Sequence, residues 1–283
     1  MEEEKIYGEA SIRWAYYNPI GKIITRLIVK NPLISKLYGW WMDRSISKKR
    51  IQPFIELYNV DTSEFLEPVE SYPHFNAFFY RELKPESRPI DDRDFSLVFP
   101  ADGRHLAIEN VQLANRFYAK GQELSIDELV GDMPFAQTLS GASVVISRLC
   151  PVDYHRFHAP FSGTAMAPLV IGNSLYSVNP FALSQNLDYL VQNRRWVIPF
   201  KLDDGKLAVV VVIGATFVGS AEFTYDPGFV EKGQELGFFM FGGSCVVTVL
   251  PHGKAMIDPS LLGQSREGVE SYDKMGRPFG AFC

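Results

Sequence analysis

The chain has 283 residues, of which 46% are apolar, and its formal net charge is −5. This length and composition predict a folded globular protein with a sizeable core and exclude an intrinsically disordered chain. The mild acidity gives no support for binding to nucleic acid, which requires a basic surface that releases counterions.

The N-terminal segment is basic and aromatic. Nine Lys and Arg residues stand between Ser11 and Ile55, against one acidic residue, Asp43. Apolar residues recur every three or four positions from Ile20 to Leu27, which predicts one face of an amphipathic helix. Such a helix either docks on the body of the protein or lies in a membrane interface, and the pattern alone leaves both interpretations open.

No apolar run reaches the roughly 18 residues that would span a bilayer. The first ten residues, "MEEEKIYGEA", also lack the basic start and the cleavage site of a secretory signal. We therefore expect a soluble or peripheral protein.

The character of the chain changes along its length. The first part reads as helical, broken at Pro53, Pro68 and Pro73, whereas β-branched and apolar runs separated by Gly, Pro and Asn dominate after Phe99. This pattern predicts an α+β fold with a helical N-terminal segment and a β-rich body of the sandwich or barrel type. We place the boundary between residues 1–70 and 71–283.

Two histidines lie together in "CPVDYHRFHAPFSG", residues 150–163. His155 and His158 have the spacing of a metal-binding pair, but no third ligand accompanies them and the flanking prolines oppose a zinc-binding helix. We expect no metal. Structural histidines bonded to backbone carbonyls are the simpler alternative for either residue taken alone.

A serine and an aspartate could join these histidines. Ser244 follows two glycines in "FGGSC", and Asp102 lies in the turn "FPADG". Each is an ordinary turn residue when taken alone. Together with a histidine they are the parts of an activated nucleophile, although the sequence does not show that they meet in space. Cys245 is a second candidate nucleophile beside Ser244.

Seven segments, in this order along the chain, resemble the phosphatidylserine decarboxylase proenzyme family. They are "FFYRELKPESRPID" (78–91), "FPADG" (99–103), "KGQELSIDELVGD" (120–132), "RLCPVDYHRFHAPFSG" (148–163), "YSVNPFAL" (176–183), "VIGATFVGS" (212–220) and "EKGQELGFFMFGGS" (231–244). The resemblance covers about residues 70 to 250. It is specific because seven separate motifs agree in register.

The resemblance implies a self-processing carboxy-lyase. Ser244 would break the Gly243–Ser244 bond and leave a β chain of residues 1–243 and an α chain of residues 244–283 that begins with a pyruvoyl group. By motif position, Asp102 and His158 would complete a charge relay with Ser244, and His155 would act in decarboxylation. The pyruvoyl group would form a Schiff base with the substrate amine, so neither a metal nor pyridoxal phosphate is expected.

The resemblance also implies the substrate and the partners. Phosphatidylserine in a membrane would be converted to phosphatidylethanolamine and CO₂ in phospholipid biosynthesis, and residues 1–70 would face that membrane. We expect a peripheral protein at the cytoplasmic face of a membrane, an αβ heterodimer that binds no nucleic acid, and we leave a homodimer open. A hydroxyl residue is common after the serine in the family, whereas this chain has Cys245.

Two other functions stay open. A pyruvoyl decarboxylase of a soluble amino acid would share the serine chemistry, and a chain that does not cleave itself would be a lipid-binding module.

Overall fold

The computed structural model describes residues 32–111, 117–119, 122–131, 133–176, 189–214, 221–241 and 244–283, with isolated positions at 14, 17, 18, 20, 21 and 23. The amphipathic helix predicted from Ile20 lies almost entirely outside the described residues, as do Gly242 and Gly243. No helix among the residues described is long and apolar enough to cross a membrane.

Helices dominate the described part of the chain before residue 80. The α-helices whose bounds the structure describes are α1 (Pro32–Met42), α2 (Ile51–Tyr58), α3 (Phe75–Phe79), α4 (Ile126–Val130), α5 (Tyr189–Gln192) and α6 (Pro259–Arg266). Short 3₁₀ turns cover Ser45–Arg50, Thr62–Glu64, Val69–Ser71, Pro85–Ser87 and Ala136–Leu139. Local signals explain two of these ends: Asn59 ends α2 in the left-handed conformation, and the His74 side chain accepts the Ala77 N–H at the start of α3.

Strands make up most of the remaining chain. They are β1 (Ser96–Val98), β2 (Gly103–Val111), β3 (Phe117–Ala119), β4 (Gln122–Leu124), β5 (Ala142–Leu149), β6 (Arg156–His158), β7 (Gly163–Ala165), β8 (Leu169–Ile171), β9 (Arg195–Lys201), β10 (Leu207–Gly214), β11 (Ala221–Phe223), β12 (Gly228–Val230), β13 (Glu235–Phe239), β14 (Ser244–Leu250), β15 (Ala255–Ile257), β16 (Ser271–Asp273) and β17 (Pro278–Phe282). The predicted α+β fold, with a helical start and a β-rich body, is confirmed.

One nine-stranded antiparallel sheet organises the body. Its strand order is β12-β7-β9-β10-β14-β5-β2-β16, with β8 also paired to β9, and smaller sheets have the orders β1-β17-β15 and β11-β13-β6. Both faces of the central strands are covered: Val210 and Val212 of β10 enter one apolar cluster, and Val209 and Val211 enter another. Alternation along a strand places successive side chains on opposite faces, so β14 is buried from its first residue to its last.

An aromatic cluster joins the helices to the sheet. It consists of Met42, Ile51, Phe54, Phe65, Tyr72, Phe75, Phe78, Phe79 and Phe241. Rings in the cluster meet edge-on, such as Phe75 on Phe241 with centroids 5.0 Å apart. The cluster contains residues from both sides of residue 70, where we expect the boundary between the two parts of the chain. That boundary stays a prediction. Through Phe241, the helices contact the chain three residues before Ser244.

Candidate active site

Ser244 begins β14 in the middle of the large sheet. It pairs with Gly214 of β10 on one side and with Leu149 of β5 on the other, and its side chain is fully buried. The adjacent Gly242 and Gly243 lie outside the described residues. The serine is therefore held by two strands immediately after the segment in which cleavage is expected.

His155 contacts Ser244 directly. Its Nδ1 atom lies 3.2 Å from Ser244 Oγ, and its Nε2 atom lies 2.9 Å from the backbone oxygen of Cys150. Burial, together with the nearby Arg81 guanidinium, lowers the pKa of His155 to about 3, so the ring is neutral. A carbonyl oxygen can only accept, so Nε2 carries the proton and Nδ1 is free to accept the serine hydroxyl. This is the contact of an activated nucleophile.

Aromatic side chains exclude water from this contact. The Phe79 ring stacks on the His155 ring with centroids 3.8 Å apart, and Phe241 meets Phe79 edge-on at 5.0 Å. The Asn76 side-chain oxygen accepts the Phe241 N–H at 2.9 Å. In such a dry site, hydrogen bonds to a developing charge are stronger than in water.

His158 is also buried, but it is placed differently. Its backbone N–H donates to the Pro100 oxygen at 2.8 Å, and its Nδ1 atom has no hydrogen-bond partner among the described residues. Burial lowers the pKa of His158 to about 4, although the nearby Glu235 opposes this shift. A buried polar atom without a partner is costly, which makes His158 available for a further hydrogen bond.

Asp102 is bound by an arginine rather than by a histidine ring. Arg88 Nε donates to Asp102 Oδ1 at 2.8 Å, Arg88 Nη2 donates to Oδ2, and the Met275 N–H donates to Oδ1 at 2.9 Å. Glu64 lies 3.0 Å from the same guanidinium. Burial alone would lower the pKa of Arg88, but the hydrogen bonds to Asp102 raise it above its usual value. Asp102 is therefore held by a bidentate ion pair.

The four predicted side chains are thus all buried, and one pair of them is in contact. Ser244 meets His155, whereas no hydrogen bond joins Asp102 to either histidine within the described residues. The Tyr154 ring lies near both His158 and Arg88, the partner of Asp102: its centroid is 5.8 Å from that of His158 and 5.9 Å from the Arg88 guanidinium carbon. The separate roles assigned to the two histidines and to Asp102 stay predictions.

Two polar residues of this region were not singled out from the sequence. Asp153 is 5% exposed, and its Oδ2 atom accepts the Cys150 N–H at 2.6 Å. Arg81 is equally buried and donates to the backbone oxygens of Val152 and Asp153. Both residues stand inside the motifs quoted above, but those motifs contain several other charged residues, so the sequence pattern offers no signal that selects these two.

Cys245 points away from this site. Neighbouring residues of a strand face opposite sides of a sheet, and Cys245 enters the apolar cluster that contains Val247 and Val249. Burial raises the pKa of its thiol to about 12, so the thiolate is strongly disfavoured. A direct role of Cys245 in the chemistry of Ser244 is inconsistent with this orientation.

The described part of the chain contains no group of three or more His, Cys, Asp and Glu side chains placed to hold a metal ion. The His155 ring is bonded to Ser244 Oγ and to the Cys150 oxygen, whereas His158 Nδ1 has no hydrogen-bond partner among the described residues.

The fold and the site define an α+β protein with a serine and a neutral histidine in contact inside its largest sheet. A model of the family described as phosphatidylserine decarboxylase matches residues 75–275. The chain is 40% identical over 279 residues to a phosphatidylserine decarboxylase proenzyme of Clostridium perfringens, covering 98% of this chain and 95% of the relative. It is 36% identical over 281 residues to the protein of that name from Fusobacterium nucleatum, covering 99% and 94%. The chain belongs to the phosphatidylserine decarboxylase family.

Proposed function

We propose that this protein cleaves itself between Gly243 and Ser244 and that the mature enzyme converts phosphatidylserine to phosphatidylethanolamine and CO₂. Membership of the family supports the reaction. The observation that supports the site is the 3.2 Å contact between Ser244 Oγ and His155 Nδ1 at the buried start of β14.

Self-cleavage begins with attack of Ser244 Oγ on the carbonyl carbon of Gly243. The C–N bond breaks as a C–O ester bond forms, and the hydroxyl proton passes to the released amine of Ser244. Because burial disfavours a charged His155, we expect the imidazole to relay this proton rather than to keep it. Loss of the Ser244 α proton then breaks the Cβ–Oγ bond, and the former serine oxygen leaves with Gly243 as its C-terminal carboxylate. One water converts the resulting enamine at residue 244 to a pyruvoyl group and ammonia.

The residues present fit a pyruvoyl group at position 244. The side chain is enclosed by two strands and faces a neutral histidine in a dry, aromatic surrounding. When present, the group supplies the electron sink that lets the substrate carboxylate leave as CO₂. We propose that His155 moves protons at the reacting carbon and that Asp102 and His158 contribute to self-cleavage, as motif position implies.

We further propose that the substrate is taken from an anionic membrane. Leu37, Trp40, Arg44 and Ile46, which we call the Trp40 surface, form an apolar and cationic patch at the end of α1. Leu37 is 66% exposed, Trp40 55% and Ile46 55%, and the Arg44 guanidinium carbon lies 4.1 Å from the Trp40 ring centroid. Exposed aromatic residues beside cations suit the headgroup region of a bilayer.

The opposite side of α1 supports this proposal. Tyr38 lies 6.1 Å, ring to ring, from Phe241, which precedes Ser244 by three residues. The helix that carries the Trp40 surface is therefore packed directly against the chain that leads into the candidate active site. A headgroup could reach the site without transfer of two acyl chains into water, which would cost about 0.8 kcal/mol per CH₂.

Intact mass spectrometry of the purified protein tests self-cleavage. We expect two chains, residues 1–243 and residues 244–283, with a ketone in place of the amine at residue 244, and we expect Ser244→Ala to stay uncut at 32.0 kDa. A single uncut wild-type chain would support a lipid-binding module instead.

Release of CO₂ then separates the two enzymatic alternatives. We expect release from phosphatidylserine in mixed micelles and not from free serine at the same concentration. Equal release from both substrates would indicate a decarboxylase of a soluble amino acid.

A further inference from the structure

The loop from Cys150 to His155 joins β5 to β6 and presents His155 to Ser244. Asp153 lies inside this loop and has no part in the chemistry proposed above. Its Oδ2 atom accepts the Cys150 N–H at 2.6 Å, and its own backbone N–H donates to the Cys150 oxygen at 2.9 Å. Asp153 therefore closes a turn by bonding to both the backbone N–H and the backbone oxygen of Cys150.

The Cys150 oxygen has a second partner, His155 Nε2 at 2.9 Å. This bond requires the proton on Nε2, because a carbonyl has no proton to donate. A neutral imidazole with its proton on Nε2 has its lone pair on Nδ1, the atom that faces Ser244 Oγ. The direction of the Cys150 carbonyl thus decides which nitrogen of His155 can accept the serine proton.

We infer that Asp153 is a positioning residue for this reaction: by fixing the turn at Cys150, it selects the tautomer of His155 that accepts a proton from Ser244. The inference rests on the proposed function, because it concerns the same serine and histidine. A carboxylate usually orients a catalytic histidine by direct contact with the ring. Here the carboxylate acts through one backbone residue.

The surroundings of Asp153 indicate an acceptor rather than half of an ion pair. No Lys or Arg side chain forms a salt bridge with its carboxylate within the described ranges. Arg81, which is also buried, contacts the same loop: its Nη2 atom donates to the backbone oxygens of Val152 at 3.2 Å and Asp153 at 3.4 Å. Two side chains, Arg81 and Asp153, therefore hold the same turn through its backbone.

The chemistry of this acceptor suggests a matched pair of variants. Burial raises the pKa of Asp153 to about 7, so a neutral form is accessible near neutral pH. Asp153→Asn keeps a neutral oxygen acceptor of nearly the same size, whereas Asp153→Ala removes the acceptor. Asp258→Ala is a control elsewhere in the fold, because Asp258 Oδ1 accepts the Ser260 N–H at 2.8 Å at the start of α6.

The first readout is the tautomer of His155, measured by ¹⁵N NMR of histidine-labelled protein that Ser244→Ala keeps uncut. His155→Gln identifies the signal. We expect the Nε2–H form in the protein with Asp153, the same form in Asp153→Asn and in Asp258→Ala, and a mixture of both forms in Asp153→Ala.

The second readout is the rate of self-cleavage with Ser244 restored. We expect Asp153→Asn to stay within about threefold of the wild type and Asp153→Ala to be slower by about tenfold or more, the loss that one missing buried hydrogen bond produces. Asp258→Ala should lower the melting temperature and leave the rate unchanged.

Three results would overturn the inference: an Nδ1–H tautomer with Asp153 in place, an unchanged tautomer in Asp153→Ala, or loss of cleavage in a folded Asp153→Asn. The first result can be measured even if Asp153→Ala fails to fold, so the inference can still be refuted. Failure of the proposed function is distinguishable, because the tautomer is read in uncut protein, whereas an uncut wild-type chain refutes self-cleavage alone.

Discussion

The side-chain oxygen of Asn76 accepts a hydrogen bond from the backbone N–H of Phe241 at 2.9 Å. The amide nitrogen of Asn76 donates to Asp43 Oδ1 at 2.8 Å, which fixes the direction of the amide. Asp43 follows the last residue of α1, so a short chain of bonds connects the end of that helix with the segment before Ser244. The helical part of the protein thus positions the backbone that leads into the site.

Asn76→Asp tests this connection. The new carboxylate would face Asp43 in a buried position, and we expect it to lower the free energy of unfolding by about 1–3 kcal/mol and to slow self-cleavage. Adding Asp43→Asn restores a donor opposite the new acceptor and should recover part of both losses. Thermal unfolding and gel analysis of cleavage measure the two effects. A double variant no better than Asn76→Asp would contradict the role given to Asp43.

Arg88→Met tests the ion pair at Asp102. Removal of the guanidinium leaves a carboxylate that is 1% exposed without its counter-charge, and we expect a loss of about 3–5 kcal/mol in unfolding free energy. Arg88→Lys should recover little, because an ammonium group does not reproduce the bidentate contact. Denaturant unfolding in the Ser244→Ala background measures both.

Arg93 provides the matched control for Arg88. It also contacts an aspartate, with Arg93 Nη2 2.8 Å from Asp91 Oδ2, but its side chain is 51% exposed. Arg93→Met should therefore cost less than about 1 kcal/mol. Equal costs for Arg88→Met and Arg93→Met would show that Asp102 is not held as described.

Cys245→Ala should cleave itself at close to the wild-type rate. The thiol lies on the face of β14 opposite to Ser244. We expect the small cavity to lower the free energy of unfolding by about 1 kcal/mol. We expect self-cleavage to continue, as followed by intact mass over time. If Cys245→Ala blocked cleavage while Ser244→Ala still cut, the nucleophile would be the cysteine.

Trp40→Ala tests the membrane proposal. We expect it to reduce flotation with vesicles that contain phosphatidylserine. Higher salt should reduce binding of the wild type, because the charge of Arg44 beside Trp40 is screened. Phe95→Ala is the matched control, since Phe95 is 54% exposed and also lies near an arginine, Arg93. Equal flotation of all three proteins would refute the role of the Trp40 surface.

Acid should destabilise the protein. Burial lowers the pKa of His105 and His155 to about 3 and that of His158 to about 4, from an ordinary value of 6.5. Below pH 6.5 the unfolded chain binds protons that the folded chain does not. The free energy of unfolding therefore decreases as the pH is lowered, by about 1.4 kcal/mol per pH unit for each histidine.

Asp153 opposes this trend. Its raised pKa lets the folded state hold a proton between pH 7 and 3.8 that the unfolded state releases. For these three histidines and Asp153 together, the net difference is about two protons, or roughly 3 kcal/mol per pH unit between pH 6 and 4. Thermal unfolding of Ser244→Ala across this range measures the slope, and a flat profile would mean that these histidines are not buried in the neutral form.

Much of the fold could be predicted because the pattern of the sequence is strong. The β-branched run that ends at Gly214 and the one that begins at Ser244 are buried, and they form central strands as expected. The aromatic cluster was not predictable, because Phe241 stands about 160 residues from Phe75 and Phe79 and only the folded chain brings them together.

The site was predictable in its members but not in its contacts. Motif similarity selected Ser244, Asp102, His155 and His158 as residue types in a familiar order. Which histidine meets the serine depends on the turn at Cys150, and which group meets Asp102 depends on Arg88. Periodicity and spacing contain no information about such long-range hydrogen bonds.

The position of Ser244 at the start of β14 has a consequence for the order of events in the life of the protein. His155 reaches Ser244 only when β14 is in place between β5 and β10, so the cut would wait until the sheet is complete. Cleavage would then act as a checkpoint that only a correctly assembled chain passes. Afterwards the small fragment would contribute the middle strand of the sheet, and the two fragments would stay together until the whole sheet is denatured.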